Sequence, residues 1–138
     1  MSPWKLYDYS PEPGRVPVAE WYAEQDEDVQ AEFDVAMRFF RANFDPSDEF
    51  GIRALKGDYL GLHEIEFVAD LADGEHRFGA IGKWRPDSNQ FVLFTICNKY
   101  DDSYDPCRNK ALEYSRAWER KDPKGEIHEH PLEEIIEE

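Results

Sequence analysis

The chain has 138 residues, 14% of them aromatic and 34% charged, with 16 Lys/Arg against 31 Asp/Glu and a net charge of -15. That length suits one domain with a real core, and the acidity argues against non-specific nucleic-acid binding, because the long-range field repels phosphates. No apolar run reaches the roughly 18 residues of a membrane span, and the opening MSPWKLYDYS lacks the basic region and apolar stretch of a secretory signal.

The charge is uneven. Residues 1–50 carry 4 Lys/Arg against 12 Asp/Glu, residues 51–125 carry 12 against 13, and residues 126–138 carry none against 6. The expectation is a single domain over 1–125 followed by an acidic tail over 126–138, either mobile or folded back on a cationic face. The near-neutral middle leaves room for a local cationic groove.

In chain order, Trp4 to Tyr9 alternates well enough for a first strand, with Trp4, Leu6 and Asp8 on one face. Pro11, Pro13 and Gly14 end it. Pro17 suits the first turn of a helix carrying Val18, Trp21 and Tyr22 on one side. Asp26-Glu27-Asp28 opens a second helix, in which Val29, Phe33, Ala36, Met37 and Phe40 form a core-facing stripe. A loop is expected over Asn43–Gly51.

Leu60 to Ala69 reads as a strand. His63, Ile65, Phe67 and Ala69 share one face; Leu62, Glu64, Glu66 and Val68 share the other. Asp73-Gly74 turns the chain into a strand over His76–Trp84, and Pro86-Asp87-Ser88-Asn89 turns it again. The Phe91–Cys97 run is nearly unbroken in its apolarity, which predicts a central strand covered on both faces. Asn109 to Lys121 reads as a final helix.

The predicted fold class is therefore α+β: a small twisted antiparallel sheet backed by two N-terminal helices, in the order β-α-α-β-β-β-α. The opposite sheet face should carry the polar strand residues. Trp21, Phe33, Phe40, Ile65, Phe67, Leu93 and Ile96 are expected in the core. Cys97 and Cys107 are expected as reduced thiols in a cytoplasmic protein.

Few chemical motifs survive. His63 and His76 lie on different strands, and His128 and His130 sit in the tail, so no metal site is expected. No Gly-rich phosphate loop is present, no Ser or Cys has a nucleophile's setting, and no cofactor is implied. Glu64 and Glu66 offer either an acid/base pair or cross-strand partners for Arg77 and Lys83. What remains is Arg53, Lys56, Arg77, Lys83, Lys99, Arg108 and Lys110, interleaved with Tyr59, Tyr100 and Tyr104. Cations and rings on a sheet face grip RNA; the alternative is a solvated face balanced by nearby Asp58, Asp101, Asp102 and Asp105.

Four segments, GRVPVAEWY (Gly14–Tyr22), ALKGDYLGLHEIEF (Ala54–Phe67), HRFGAIGKW (His76–Trp84) and FVLFTICNKYDDSYDP (Phe91–Pro106), resemble in order the HigB-like, phage-related branch of the RelE/ParE toxin superfamily. The resemblance covers roughly residues 4 to 121 and leaves out the acidic tail. It implies the fold derived above, RelE-like. It also implies a toxin of a toxin–antitoxin pair that cleaves mRNA on the ribosome, with an antitoxin protein, mRNA and the ribosome as partners. In that chemistry cations and a Tyr assist attack of a ribose 2′-OH on the adjacent phosphate, without a metal.

Carried over by position, Arg53 and Lys56 match the basic segment before the strand, Arg77 the Tyr-Arg strand position, and Lys99 the first of a pair of lysines. Tyr100 stands in place of the second, as a proton donor. The catalytic set implied is Lys56, Arg77, Lys99 and Tyr100, with Arg53, Lys83, Arg108 and Lys110 binding RNA. Glu66 stands where the family pattern offers Arg, so weak or absent ribonuclease activity is expected. The rival expectation is a non-catalytic binding module that retains the fold and engages a protein partner.

Overall fold

A computed structural model describes residues 4–43, 53–59, 61–120 and 122–132. Its elements are β1 (Lys5–Ser10), α1 (Pro17–Ala23), α2 (Glu27–Asn43), β2 (Arg53–Ala54), β3 (His63–Leu71), β4 (Gly74–Arg85), β5 (Gln90–Asn98), α3 (Tyr104–Trp118) and β6 (Glu126–Glu129). The class is α+β, with one six-stranded sheet in the order β2-β3-β4-β5-β1-β6.

The apolar run decides where β5 goes. Phe91 to Cys97 are all buried, because the strand lies inside the sheet and both of its faces are covered. On one face α1 and α2 pack Val18, Val29, Phe33, Met37 and Phe40 against Leu6, Ile65, Phe67, Phe78, Phe91 and Leu93. The α2 stripe is thus core, as its spacing predicts. Trp21 is half-buried, set edge-on to Phe33, Phe67 and Phe78 at 5.2, 6.1 and 5.7 Å. The remaining six residues expected in the core are buried.

Several expectations need correction. The sheet is mixed, because β1 runs parallel to β5 in the register Lys5↔Gln90 to Asp8↔Leu93. The chain leaves β1 through a helical crossover and returns beside it, which permits a parallel pair. The second face is not simply polar: α3 covers it, burying Ala111 and Tyr114 with Tyr9, Leu55, Leu62, Ile81, Val92 and Phe94. Charged residues of this face gather at the two ends of α3, Glu64 beneath Tyr104 at its start and Lys83 beside Glu119 at its end.

The cysteines are not free thiols. Cys97, at the end of β5, is bonded to Cys107 in the first turns of α3. The chain reverses after β5 and brings the two Cα atoms to 5.7 Å, within disulfide reach. Disulfides persist in oxidising surroundings, so the thiols no longer speak for a cytoplasmic location. Among the described residues no helix is long and apolar enough to cross a membrane.

The tail is not separate from the domain over its first part. Glu126–Glu129 forms an antiparallel edge strand on β1, with Tyr7↔Glu129 and Ser10↔Glu126 in register, far across the sheet from β3. The ladder continues as His130 N–H donates to Leu6 O at 2.8 Å. His130, expected in the acidic tail, is buried against Asp8, its Nδ1 lying 2.8 and 2.9 Å from the two carboxylate oxygens. Of the loop expected over Asn43–Gly51, Asn43 closes α2; residues 44–51, Leu60 and residues 133–138 lie outside the described residues.

Candidate functional site

Strand alternation puts Glu64 and Glu66 on the α3 side of β3, and Glu75 and Arg77 on the same side of β4. Lys99 and Tyr100 follow the end of β5, and Tyr104 opens α3. These seven side chains form one hydrogen-bonded network. Lys99 is at its centre, with Nζ donating to Glu64 Oε1 at 2.6 Å and to Glu66 Oε2 at 2.8 Å. Arg77 donates from Nη1 to Glu66 Oε1, from Nη2 to Glu75 Oε1 at 3.0 Å, and from Nε to Tyr100 Oη at 3.2 Å. The Tyr100 hydroxyl donates in turn to Glu75 Oε1 at 3.0 Å.

Glu64 is the buried anchor, only 1% exposed. Tyr104 donates its hydroxyl to Glu64 Oε2 at 2.5 Å, so both carboxylate oxygens are satisfied, as burial demands. Gly79 makes room for this side chain. A Cβ there would stand 2.6 Å from Glu64 Oε2 and 2.8 Å from its Cγ.

The network also sets the protonation of its members. Burial opposes the charge on Lys99, but its bonds to Glu64 and Glu66 outweigh that cost and raise its pKa. The Lys99 bond, with Arg77 adding to it, holds Glu66 below the usual carboxylate range against partial burial. Arg77 and Tyr100 lower Glu75, and Arg77 is driven up by its bonds to Glu75, Tyr100 and Glu66. Tyr104 is raised by burial and by Glu64.

Three carboxylates thus face two cations, a formal charge of -1 at the place where a phosphate would need the opposite. Every nitrogen of the Arg77 guanidinium is engaged. A pair expected between Glu66 and Arg77 is present, but Lys83 is elsewhere: its Nζ lies 2.5 Å from Glu119 at the C-terminus of α3.

The other sequence candidates scatter. Lys56 is exposed, in the turn before Gly57–Tyr59, with no ion pair among the described residues. Arg53 lies on the short β2, where its backbone pairs with Glu64. Arg108 stacks between the Tyr59 and Tyr104 rings, its guanidinium carbon 4.6 and 4.5 Å from their centroids, and bonds Asp105. Lys110 is exposed and lies 3.4 Å from Glu113. The structure therefore brings Arg77, Lys99 and Tyr100 together, flanks them with Arg108, and leaves Lys83 and Lys110 in pairs of their own.

Glu75 was not singled out by the sequence reading. Its signal was available: two residues before Arg77 on one strand, it must share that residue's face. Among the described residues no group of His, Cys, Asp and Glu is arranged to hold a metal ion. No family model, curated protein or solved structure matches this chain.

Proposed function

We propose that the chain is a RelE/HigB-like protein whose RNA-cleaving face is closed by its own carboxylates, and that it acts as a non-catalytic binding module for a protein partner. The observation that carries this reading is the seating of Lys99 Nζ between Glu64 and Glu66. A cation held by two carboxylates has little left to offer a phosphate. Two unit charges about 5 Å apart interact by roughly 3 kcal/mol at an effective dielectric of ~20; Glu66, 37% exposed and paired, opposes an incoming phosphate by less than that once solvent and salt screen it.

A chain of net charge -15 steers towards basic partner surfaces, and an antitoxin-type protein with a basic docking segment fits that field. The order of strand, two helices, three-stranded meander and helix supports the RelE-like reading. The parallel β1–β5 pair and the added β2 and β6 depart from the all-antiparallel sheet expected with it.

The second reading, a ribosome-associated mRNA endoribonuclease, is favoured by Tyr100, which is 60% exposed beside Arg77 and would serve as a proton donor once its hydroxyl leaves Glu75. Induced expression in a bacterial host, with growth and mRNA integrity followed together, separates the two. The binding-module reading predicts normal growth and intact mRNA. Growth arrest with mRNA cleavage that is lost in Lys56→Ala or Lys99→Ala overturns it.

A further inference from the structure

On the opposite face of the sheet, a cavity of about 250 Å³ opens between α1, α2 and the segment that follows β6. Its walls are largely apolar: Val18 and Ala19 from α1, Phe33 from α2, then Pro131 and Leu132. The polar groups are few and unequal in their commitments. Asp34 accepts the Tyr22 hydroxyl at 2.8 Å. Asp8 is engaged by His130 Nδ1 through both oxygens.

The two basic groups are less committed. His130 is only 8% exposed, and its bond to Asp8 fixes the ring and leaves Nε2 as its remaining polar atom. That nitrogen has no hydrogen-bond partner among the described residues. Arg38 borders the same cavity and has no ion pair or hydrogen bond among them. Asp8 and Asp34 each already accept a hydrogen bond, from His130 and Tyr22, so the half-buried Arg38 is the charged group beside the apolar hollow whose donors are open, and an anion is the ligand that suits them.

We propose that this cavity binds a small carboxylate with an apolar body, of the size of benzoate or a short branched-chain acid. The carboxylate takes the Arg38 guanidinium, which suits planar two-oxygen recognition. The body packs against Val18, Phe33 and Leu132. The size is adequate, since an apolar cavity of about 150 Å³ accepts benzene. The inference is independent of the RNA-face reading, as it uses none of those residues.

The test is a titration of the full chain with benzoate, followed by methyl NMR and calorimetry, against benzyl alcohol and benzylamine as neutral and cationic isosteres. Saturable shifts at the Val18 and Leu132 methyls are expected, with benzyl alcohol at least about tenfold weaker for want of the charge-assisted bonds. Benzylamine should not saturate the site. Arg38→Gln should weaken benzoate at least about tenfold, and Ala19→Phe, which fills the cavity mouth from an exposed position, should abolish binding while leaving Arg38 in place. Neither removes a core side chain, and thermal melts confirm folding of each. Absence of saturable shifts at those methyls, equal binding of benzyl alcohol, or benzoate binding unchanged in both variants overturns the proposal.

Discussion

Glu66 and Gly79 are the residues that define the site, and each acts through a neighbour. Glu66 is held below its ordinary value of 4.5 by Lys99 and Arg77. A depressed folded-state pKa contributes stability that is present above the unfolded value and lost as pH falls through the lower folded one. Glu66→Gln should therefore remove part of the acid limb. Its unfolding free energy should differ from wild type most above about pH 5 and converge with it in strong acid. Because the side chain is 37% exposed, screening keeps this below about 1 kcal/mol. Parallel pH–stability curves for the two proteins would show that the pairing is not formed in solution.

Gly79 has a steric role at the same place. A Cβ would stand 2.6–2.8 Å from the buried Glu64 side chain, so Gly79→Ala must displace Glu64 or distort β4. Such overpacking costs about 1–3 kcal/mol, readable in denaturant unfolding, and should loosen Lys99 as well. A neutral effect would mean that Glu64 is free to move. At this scale the sequence was half legible. Alternation placed Glu64 and Glu66 on one face with Arg77, but nothing local told that Glu64 is buried. That depends on Tyr104, forty residues away, and on the missing Cβ of Gly79.

Among the elements, those with a strong period were legible and those made by pairing were not. The Val29–Phe40 stripe and the Phe91–Cys97 run each specify one element and one environment. The run also carried a consequence that the one-layer picture missed: a strand buried on both faces requires a second cover, which α3 supplies. By contrast, Glu126–Glu129 reads Glu-Ile-His-Glu and has no apolar alternation. It becomes a strand because β1 offers a free edge and Asp8 offers a partner to His130. The direction of β1 beside β5 is likewise a tertiary fact.

The Cys97–Cys107 bond ties β5 to α3 across a separation of 10 residues. Closing a loop of that length restricts the unfolded chain by about 2–3 kcal/mol in the chain-entropy account. Replacing both cysteines by Ala should lower stability by about that amount in denaturant melts, with α3 losing amide protection before the strands. Equal stability of the two proteins, together with free thiols in the untreated wild type, would show that the bond does not form.

For the whole molecule, the distribution of charge is the governing feature. Residues 51–125 are nearly neutral, and five of their cations, Lys99, Arg77, Lys83, Arg108 and Lys110, are each paired with a carboxylate. Composition made the excess of acid visible, and the resemblance named the cations; neither told that they would be consumed internally. With a net charge of -15 the long-range field is that of an acidic protein. The most direct test is the affinity of a short single-stranded RNA for wild type and Glu66→Arg at low salt. The closed-face account predicts no measurable binding by wild type and a salt-sensitive gain of at least about tenfold in the variant, since each added phosphate contact releases counterions. Tight RNA binding by wild type, unchanged or weakened in Glu66→Arg, would contradict it.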